Sequence, residues 1–451
     1  MSGLSEDHRR TIALAGLFTF ACLLIALPYL LAGPGFFLDD WRNLARLDTV
    51  GWMRSGEASR FASRPGAWGV EMVLYPTLRD RAEAWVVVMA LINGATCTAL
   101  YLLLRRFTAE GVAVAVVLVW ILLPNHSSLR LFANTTPMVV GLGLLAVGLL
   151  LADRGRLVWG AVGVSLGGMC LEAMLVPGLV GVVLVHVVRK VGTRREAHTA
   201  VAIIVATGLL MSIHPTYRPT GSSPGSPMPA LRGQFTSGLT PNPTVAALLV
   251  ITAVVGTLAA LVSWWRGHRT VGEGPWLVAA GFAVVFLGLL PFALRWPVGH
   301  RGQADRSFVV ASVGVALLWV GWAKVLLARS RLALGAGAIA LATVLVAANL
   351  RFQQDWAEGA DLTRDMLRGV ACRYPDGPPD GFAVGPQVPV PEGIRPIHQF
   401  YLEDAARVVL GRPLRFTLAE DADEWGDRSP SLQATWDELV AEGRQPGAED
   451  C

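Results

Sequence analysis

Residues 11–42 read TIALAGLFTFACLLIALPYLLAGPGFFLDDWR: an uncharged run from Thr11 to Leu31, a glycine- and proline-bearing exit, then two adjacent carboxylates at Asp39 and Asp40. The hydrocarbon core of a bilayer is roughly 30 Å thick and takes about 20 helical residues to cross, because backbone polar groups find no partner in lipid unless a helix pairs them internally. The first run has that length. It follows a polar start with His8, Arg9 and Arg10, but it is too long for a signal-peptide core and no A-x-A-like cleavage site follows. A retained transmembrane helix is expected.

The pattern repeats along the chain. Of 451 residues, 53% are hydrophobic and 16% charged, with a mean hydropathy of +0.48, too little polarity to cover a water-soluble globule. Apolar runs recur at about 11–31, 84–104, 110–124, 136–152, 157–171, 173–188, 199–213, 243–264, 275–293, 307–327 and 332–349. The expected fold is therefore an α-helical polytopic membrane protein with about 11 transmembrane helices. The stretch 157–188 is counted as two helices, since one helix of that length would run about 48 Å, and Glu172 with Pro177-Gly178 interrupts it. The net charge of +4 is spread over many loops, which gives nucleic-acid binding no support.

Basic residues of short loops collect on the cytoplasmic side of a membrane. With the N-terminus inside, the inner connections hold Arg105/Arg106, Arg154/Arg156, Arg189/Lys190/Arg194/Arg195, Arg266/Arg269 and Lys324/Arg329/Arg331, so all five are basic. Parity then puts the long segments outside: 32–83, 214–242, 294–306 and the C-terminal hundred residues. The chain divides into a transmembrane domain at 1–349 and a soluble extracytoplasmic domain at 350–451. The latter shows a polar helical pattern through 352–373, a strand-like GFAVGPQVPV at 381–390, a helix near 397–411 and a second strand at RPLRFTL, 412–418, and is expected to be a small α/β unit. Cys22, Cys97 and Cys170 lie in apolar runs and act as small hydrophobes. Cys372 and Cys451 lie in the outer domain, where a disulfide between them is permitted.

Two clusters carry the chemistry. Asp39 and Asp40 leave the membrane together, and each disfavours ionisation of the other unless a cation or proton compensates. They read either as a general base or metal ligand at the outer aqueous boundary, or as the cap of a short helix beginning near Trp41. The second cluster is LRWPVGHRGQADRSF at 294–308, where Arg295, His300, Arg301, Asp305 and Arg306 fall within twelve positions of a short outer loop. Three arginines there run against the positive-inside bias. They suit a lipid phosphate, or else a structural network with Asp305, Asp39 and Asp40. Arg64, Trp68 and Glu71 sit in an amphipathic stretch that suits the membrane surface. Glu172 is either a solvated turn residue or part of the site wall. His126 and His214 fall at outer helix ends, and Asn125-His-Ser127 and Asn134-Thr-Thr136 are sequon-like. The middles of the runs carry essentially no charged residues, which counts against an ion-coupled carrier.

An acidic pair just after the first span, large outer loops, a multi-spanning core and an outer C-terminal domain resemble the GT-C superfamily of membrane glycosyltransferases. The local motifs are LDDW at 38–41, SRPGAW at 63–68, LEAMLVP at 171–177 and HRGQADRSFVVAS at 300–312. The resemblance implies an inverting transfer of a hexose or pentose from a polyprenyl-phosphate donor to a hydroxyl of a glycan, lipid or protein acceptor in a cell-envelope pathway of the plasma membrane. It also implies that Asp39 or Asp40 deprotonates the acceptor or helps hold a divalent metal (Mg or Mn), the metal role falling on Asp40. Arg301 or Arg306 would bind the donor phosphate, with Arg295 and His300 beside them and Arg64, Glu172 and Asp305 in the site wall. Two features depart from the pattern: Arg306-Ser307-Phe308 stands where many relatives carry an Arg-Tyr pair, and no WWDYG-like motif is present. The rival readings are a lipid or polysaccharide translocation protein without chemistry, and a non-catalytic glycolipid-binding assembly subunit.

Overall fold

The computed structural model describes residues 5–37, 39–49, 64–124, 126–213, 243–265, 273–293, 308–327, 330–376, 383–384, 402–411 and 417–418. Its helices, in chain order, are α1 (Glu6–Leu31), α2 (Asp39–Thr49), α3 (Pro65–Leu78), α4 (Ala82–Leu104), α5 (Glu110–Leu122), α6 (Ser128–Leu131), α7 (Thr136–Asp153), α8 (Leu157–Cys170), α9 (Leu175–Arg189), α10 (Arg194–Ile213), α11 (Pro243–Trp265), α12 (Glu273–Ala293), α13 (Val309–Leu327), α14 (Arg331–Arg373) and α15 (Leu402–Leu410). Among the described residues, eight helical stretches are long and apolar enough to cross a membrane, and they involve α1, α4, α7, α9, α11, α12, α13 and α14. The chain thus fits a multi-pass α-helical membrane protein. The other three apolar runs also form helices, but α5 and α8 have 13 and 14 residues, about 20 Å of rise each and short of the hydrocarbon core. The first turns of α10 are polar, with Arg194, Arg195, Glu196 and His198.

The stretch 157–188 is two helices, as its length requires. The break is a 3-10 turn at Glu172–Met174. Pro177 instead sits in the first turn of α9, where the N–H it lacks would have had no intrahelical acceptor.

Glycines set the closest crossings. A Cβ on Gly314 of α13 would meet the Gly281 carbonyl of α12 at 2.7 Å, and one on Gly288 the Ala311 nitrogen at 2.7 Å. In the α7–α8 pair, a Cβ on Gly148 would meet the Gly160 carbonyl at 2.7 Å and one on Gly167 the Gly141 carbonyl at 2.7 Å. Lipid tails are as apolar as leucine, so close backbone approach through small residues does the work that hydrophobic burial does in water.

The two ends of the bundle differ in chemistry. One end gathers the starts of α1, α5, α8, α10, α12 and α14, and it is tied by ion pairs: Arg10 to Glu110 at 2.8 Å, Arg105 to Asp7 at 3.1 Å, and Arg106 and Arg189 to Asp153 at 2.7 and 3.4 Å. Lys324 also pairs with Glu273 there. Exposed Trp159, Trp265 and Trp276 lie at the same end, where amphipathic rings suit a membrane interface.

The other end is an aromatic layer built on α14. That helix runs 43 residues, about 65 Å; Trp356, Ala357 and Ala360 still pack on the main apolar core, and Leu367 and Val370 beyond them join a second, smaller one. The compositional boundary at 349/350 falls inside it without a break. Gln353 accepts from the Tyr29 backbone N–H at 3.0 Å, Trp356 donates to the Ser127 hydroxyl at 3.1 Å, and Arg364 donates to the carbonyl of Gly33 at 3.1 Å. Gly33 takes φ +86°, a left-handed turn that frees the chain from α1 towards α2. A small core of Phe36, Trp41, Tyr75, Trp85, Leu367 and Leu402 joins α2, α3, α4, α14 and α15. Beyond α14 the described residues show α15 and one parallel two-residue pair, Ala383–Val384 (β1) with Thr417–Leu418 (β2). Cys22, Cys97 and Cys170 are buried free thiols. Cys372 is disulfide-bonded, and Cys451, the partner suggested by sequence, lies outside the described residues.

Candidate functional site

The carboxylate pair falls on the first turn of α2, which is helical because DDWRNLARLDT places Trp41, Leu44 and Ala45 on one buried side. Asp40 is fully buried. Its Oδ2 accepts from the backbone N–H of Phe37 at 3.2 Å, and its Oδ1 accepts from the Tyr75 hydroxyl at 3.0 Å and the Asn134 backbone N–H at 2.8 Å. One carboxylate therefore joins α2 to α3 and to the 3-10 turn ahead of α7. Burial, helped by the charges of Asp40 and Glu71, pushes the Tyr75 phenol well above its ordinary value, so it stays a donor. The bond back to Phe37 is a capping contact. Three donors aimed at one carboxylate engage both of its oxygens in holding α2. Asp39, one residue earlier, opens α2; its side chain lies outside the described atoms.

Arg64 and Glu172 are brought together from 108 positions apart. Arg64 Nε and Nη2 donate to Glu172 Oε2 and Oε1 at 2.9 and 2.8 Å, a bidentate pair joining the start of α3 to the turn between α8 and α9. Gly66 allows this approach, since a Cβ there would meet the Cys170 nitrogen at 2.9 Å. Beneath the pair, α3, α4, α7 and α8 enclose a groove of about 440 Å³ lined by apolar side chains including Val70, Val73, Ile92, Val140 and Leu166.

A third polar knot sits between α5 and α7. Arg130, buried, donates to the carbonyls of Ile121 and Leu123 at 2.7 and 2.6 Å and so closes the end of α5. His126 stacks on Trp120 with ring centroids 4.7 Å apart, and burial, reinforced by the Arg130 charge, pushes its imidazole well below the ordinary 6.5. Trp120 donates to the Ser312 hydroxyl at 2.8 Å. A line of contacts runs from Phe37 through Trp356 (ring centroids 4.7 Å) to Ser127, His126, Trp120 and Ser312. The layer that holds Asp40 therefore reaches the start of α13, four residues past Phe308.

Arg295, His300, Arg301, Asp305 and Arg306 lie outside the described residues, as does His214. Among the described residues no group of three or more His, Cys, Asp or Glu is placed to hold a metal. Reading the sequence missed Arg130 and Tyr75, and took Asn134 only as part of a sequon-like triplet. Arg130 had a usable signal, a cation between two apolar runs on the face expected to be poor in them, whereas Tyr75 and the Asn134 backbone had none. Compared with known proteins, the chain matches no protein-family model and shows no significant sequence similarity to a curated protein.

Proposed function

We propose that the chain is a GT-C-type membrane glycosyltransferase that moves a hexose or pentose, with inversion, from a polyprenyl-phosphate donor to an acceptor hydroxyl at the outer face of the cell membrane. On this reading the N-terminus is cytoplasmic, α5, α8 and α10 complete eleven spans, and residues 350–451 form a small outer α/β domain. The observation that carries the proposal is the apolar groove between α3, α4, α7 and α8, whose walls lead up to the layer where α2 and α3 meet. A prenyl tail needs such a surface, and its phosphate would then lie at the height of the helix ends.

The roles divide by geometry. Asp39 takes the base role, because the oxygens of Asp40 are occupied in fixing α2; Asp40 is the positioning residue. The acceptor oxygen attacks the anomeric carbon as Asp39 takes its proton, the bond to the phosphate oxygen breaks, and Arg301 or Arg306 receives the departing phosphate's charge. Holding both substrates at one boundary removes much of the entropic barrier.

The test is transfer by the purified protein in nanodiscs, using polyprenyl-phosphate pentoses and hexoses with a glycan acceptor. Asp39→Asn should lower turnover at least about 100-fold while donor binding stays within about twofold, since a base acts chiefly in the transition state. One observation favours the non-catalytic alternative: Asp40, Arg64 and Glu172 are all engaged within the chain. Donor binding without transfer in every combination would select that alternative.

A further inference from the structure

A second groove lies at the opposite, basic end of the bundle, between α9 and α10, with a volume of about 420 Å³. That is within the roughly 300–1,000 Å³ usual for small-molecule sites. Its lining is graded along the axes of α9 and α10. His186, Arg194 and His198 sit near the helix ends, while Val182, Val183 and Val201 lie one to two turns deeper. The flank of α9 beside it exposes Leu184, Val187 and Val188, a surface suited to acyl chains.

The rim is cationic and available. Arg106 and Arg189 on the same face are committed to Asp153, but Arg194 and His198 have no ion pair among the described residues. Glu196, the nearby acid, is turned back on Thr193, whose N–H it accepts at 2.7 Å and whose hydroxyl lies at 3.0 Å. His186 directs Nδ1 at the Val191 carbonyl at 2.8 Å, which leaves Nε2 for another partner. Arg195 and Lys190 are exposed beside the rim and add to the field.

We infer that this groove binds an anionic phospholipid of the cytoplasmic leaflet, with the phosphate at Arg194 and His198 and an acyl chain along Val182, Val183 and Val201. Charge complementarity selects the occupant. A neutral or zwitterionic lipid satisfies the valines but leaves the Arg194 charge unneutralised, and a free phosphate satisfies Arg194 but leaves the groove unfilled. The cytoplasmic leaflet supplies negative headgroups at this depth, and guanidinium matches phosphate with parallel donors. The choice of leaflet rests on the cytoplasmic N-terminus of the proposed reading; the groove itself lies at the other end of the bundle and takes no part in sugar transfer.

Native mass spectrometry of the full-length protein in detergent tests it, with dioleoylphosphatidylglycerol, dioleoylphosphatidylcholine and glycerol phosphate as separate probes. The expected result is one tight phosphatidylglycerol that phosphatidylcholine and glycerol phosphate do not displace. Its affinity should fall about tenfold or more in Arg194→Gln/His198→Gln through loss of charge-assisted bonds. It should also fall in Ala197→Trp, which fills the groove and keeps Arg194 and His198. Arg331→Gln, an exposed cation elsewhere on the same face, should leave it unchanged. Equal binding of phosphatidylcholine, displacement by glycerol phosphate, or retention within twofold in both groove variants overturns the inference.

Discussion

Asp40→Ala separates positioning from catalysis at the acidic pair. In the native protein the carboxylate satisfies the Phe37 N–H, the Tyr75 hydroxyl and the Asn134 N–H in a fully buried site. Truncation leaves three donors without that acceptor. A buried donor left unmade costs about 1–3 kcal/mol; the Tyr75 hydroxyl also has the Asn43 side chain as a partner, so the expected loss is about 2 kcal/mol or more. Asp40→Asn should fall between Ala and the native residue, because an amide oxygen still serves Tyr75 and Asn134 while its NH2 confronts the Phe37 N–H. Denaturant unfolding in mixed micelles measures this, followed by a maleimide dye that reaches Cys22, Cys97 and Cys170 only when the bundle opens, since all three thiols are buried. The turnover of Asp40→Ala should decline in step with its folded fraction, unlike that of Asp39→Asn. A destabilisation under about 1 kcal/mol for Asp40→Ala would refute the view that these three bonds hold α2 in place.

Stability should depend on pH through His126. Its folded pKa is depressed below the unfolded 6.5, so the unfolded chain binds the extra proton and stability falls as pH drops below about 6.5, at up to about 1.4 kcal/mol per pH unit; His126→Gln should flatten that slope, and an unchanged slope counts against it. A double-mutant cycle of Arg64→Met and Glu172→Gln should give a coupling of about 1 kcal/mol, more than a typical exposed pair because it is bidentate and less than a buried one because both side chains are partly solvated; zero coupling would make the pair incidental. Gly314→Val should cost about 1–3 kcal/mol or more by forcing α12 and α13 apart, whereas Gly335→Ala, which meets open space, should be neutral or gain up to about 1 kcal/mol of helix propensity; equal effects at the two positions would dismiss the glycine-packing argument.

Eight of the eleven expected spans and the two chemically distinct ends were legible in the sequence because each is local. Lipid forces internal pairing of the backbone, so an apolar run such as Thr11–Leu31 declares a helix without reference to the rest of the chain. The basic connections declare one face in the same way, and Arg105, Arg106 and Arg189 do sit on it with their acids. The split at Glu172 was also readable, although Pro177-Gly178 proved to be inside α9. The length of α14 was half readable: the change of composition near residue 350 marks the end of the apolar run, but nothing local says that the helix continues unbroken.

What only the tertiary structure decided is which polar groups meet. Asp39 and Asp40 are equivalent as letters, and their difference arises because Tyr75 and Asn134, 35 and 94 positions away from Asp40, converge on one carboxylate. Arg64 and Glu172, grouped from the sequence only as members of a site wall, became a direct pair because Gly66 lets α3 lie directly on the end of α8. Helix periodicity and hydropathy are sums over neighbours in sequence, so they fix elements and their depth in the membrane. Hydrogen bonds join groups across helices through contacts a few ångströms long, and only the packed bundle determines those.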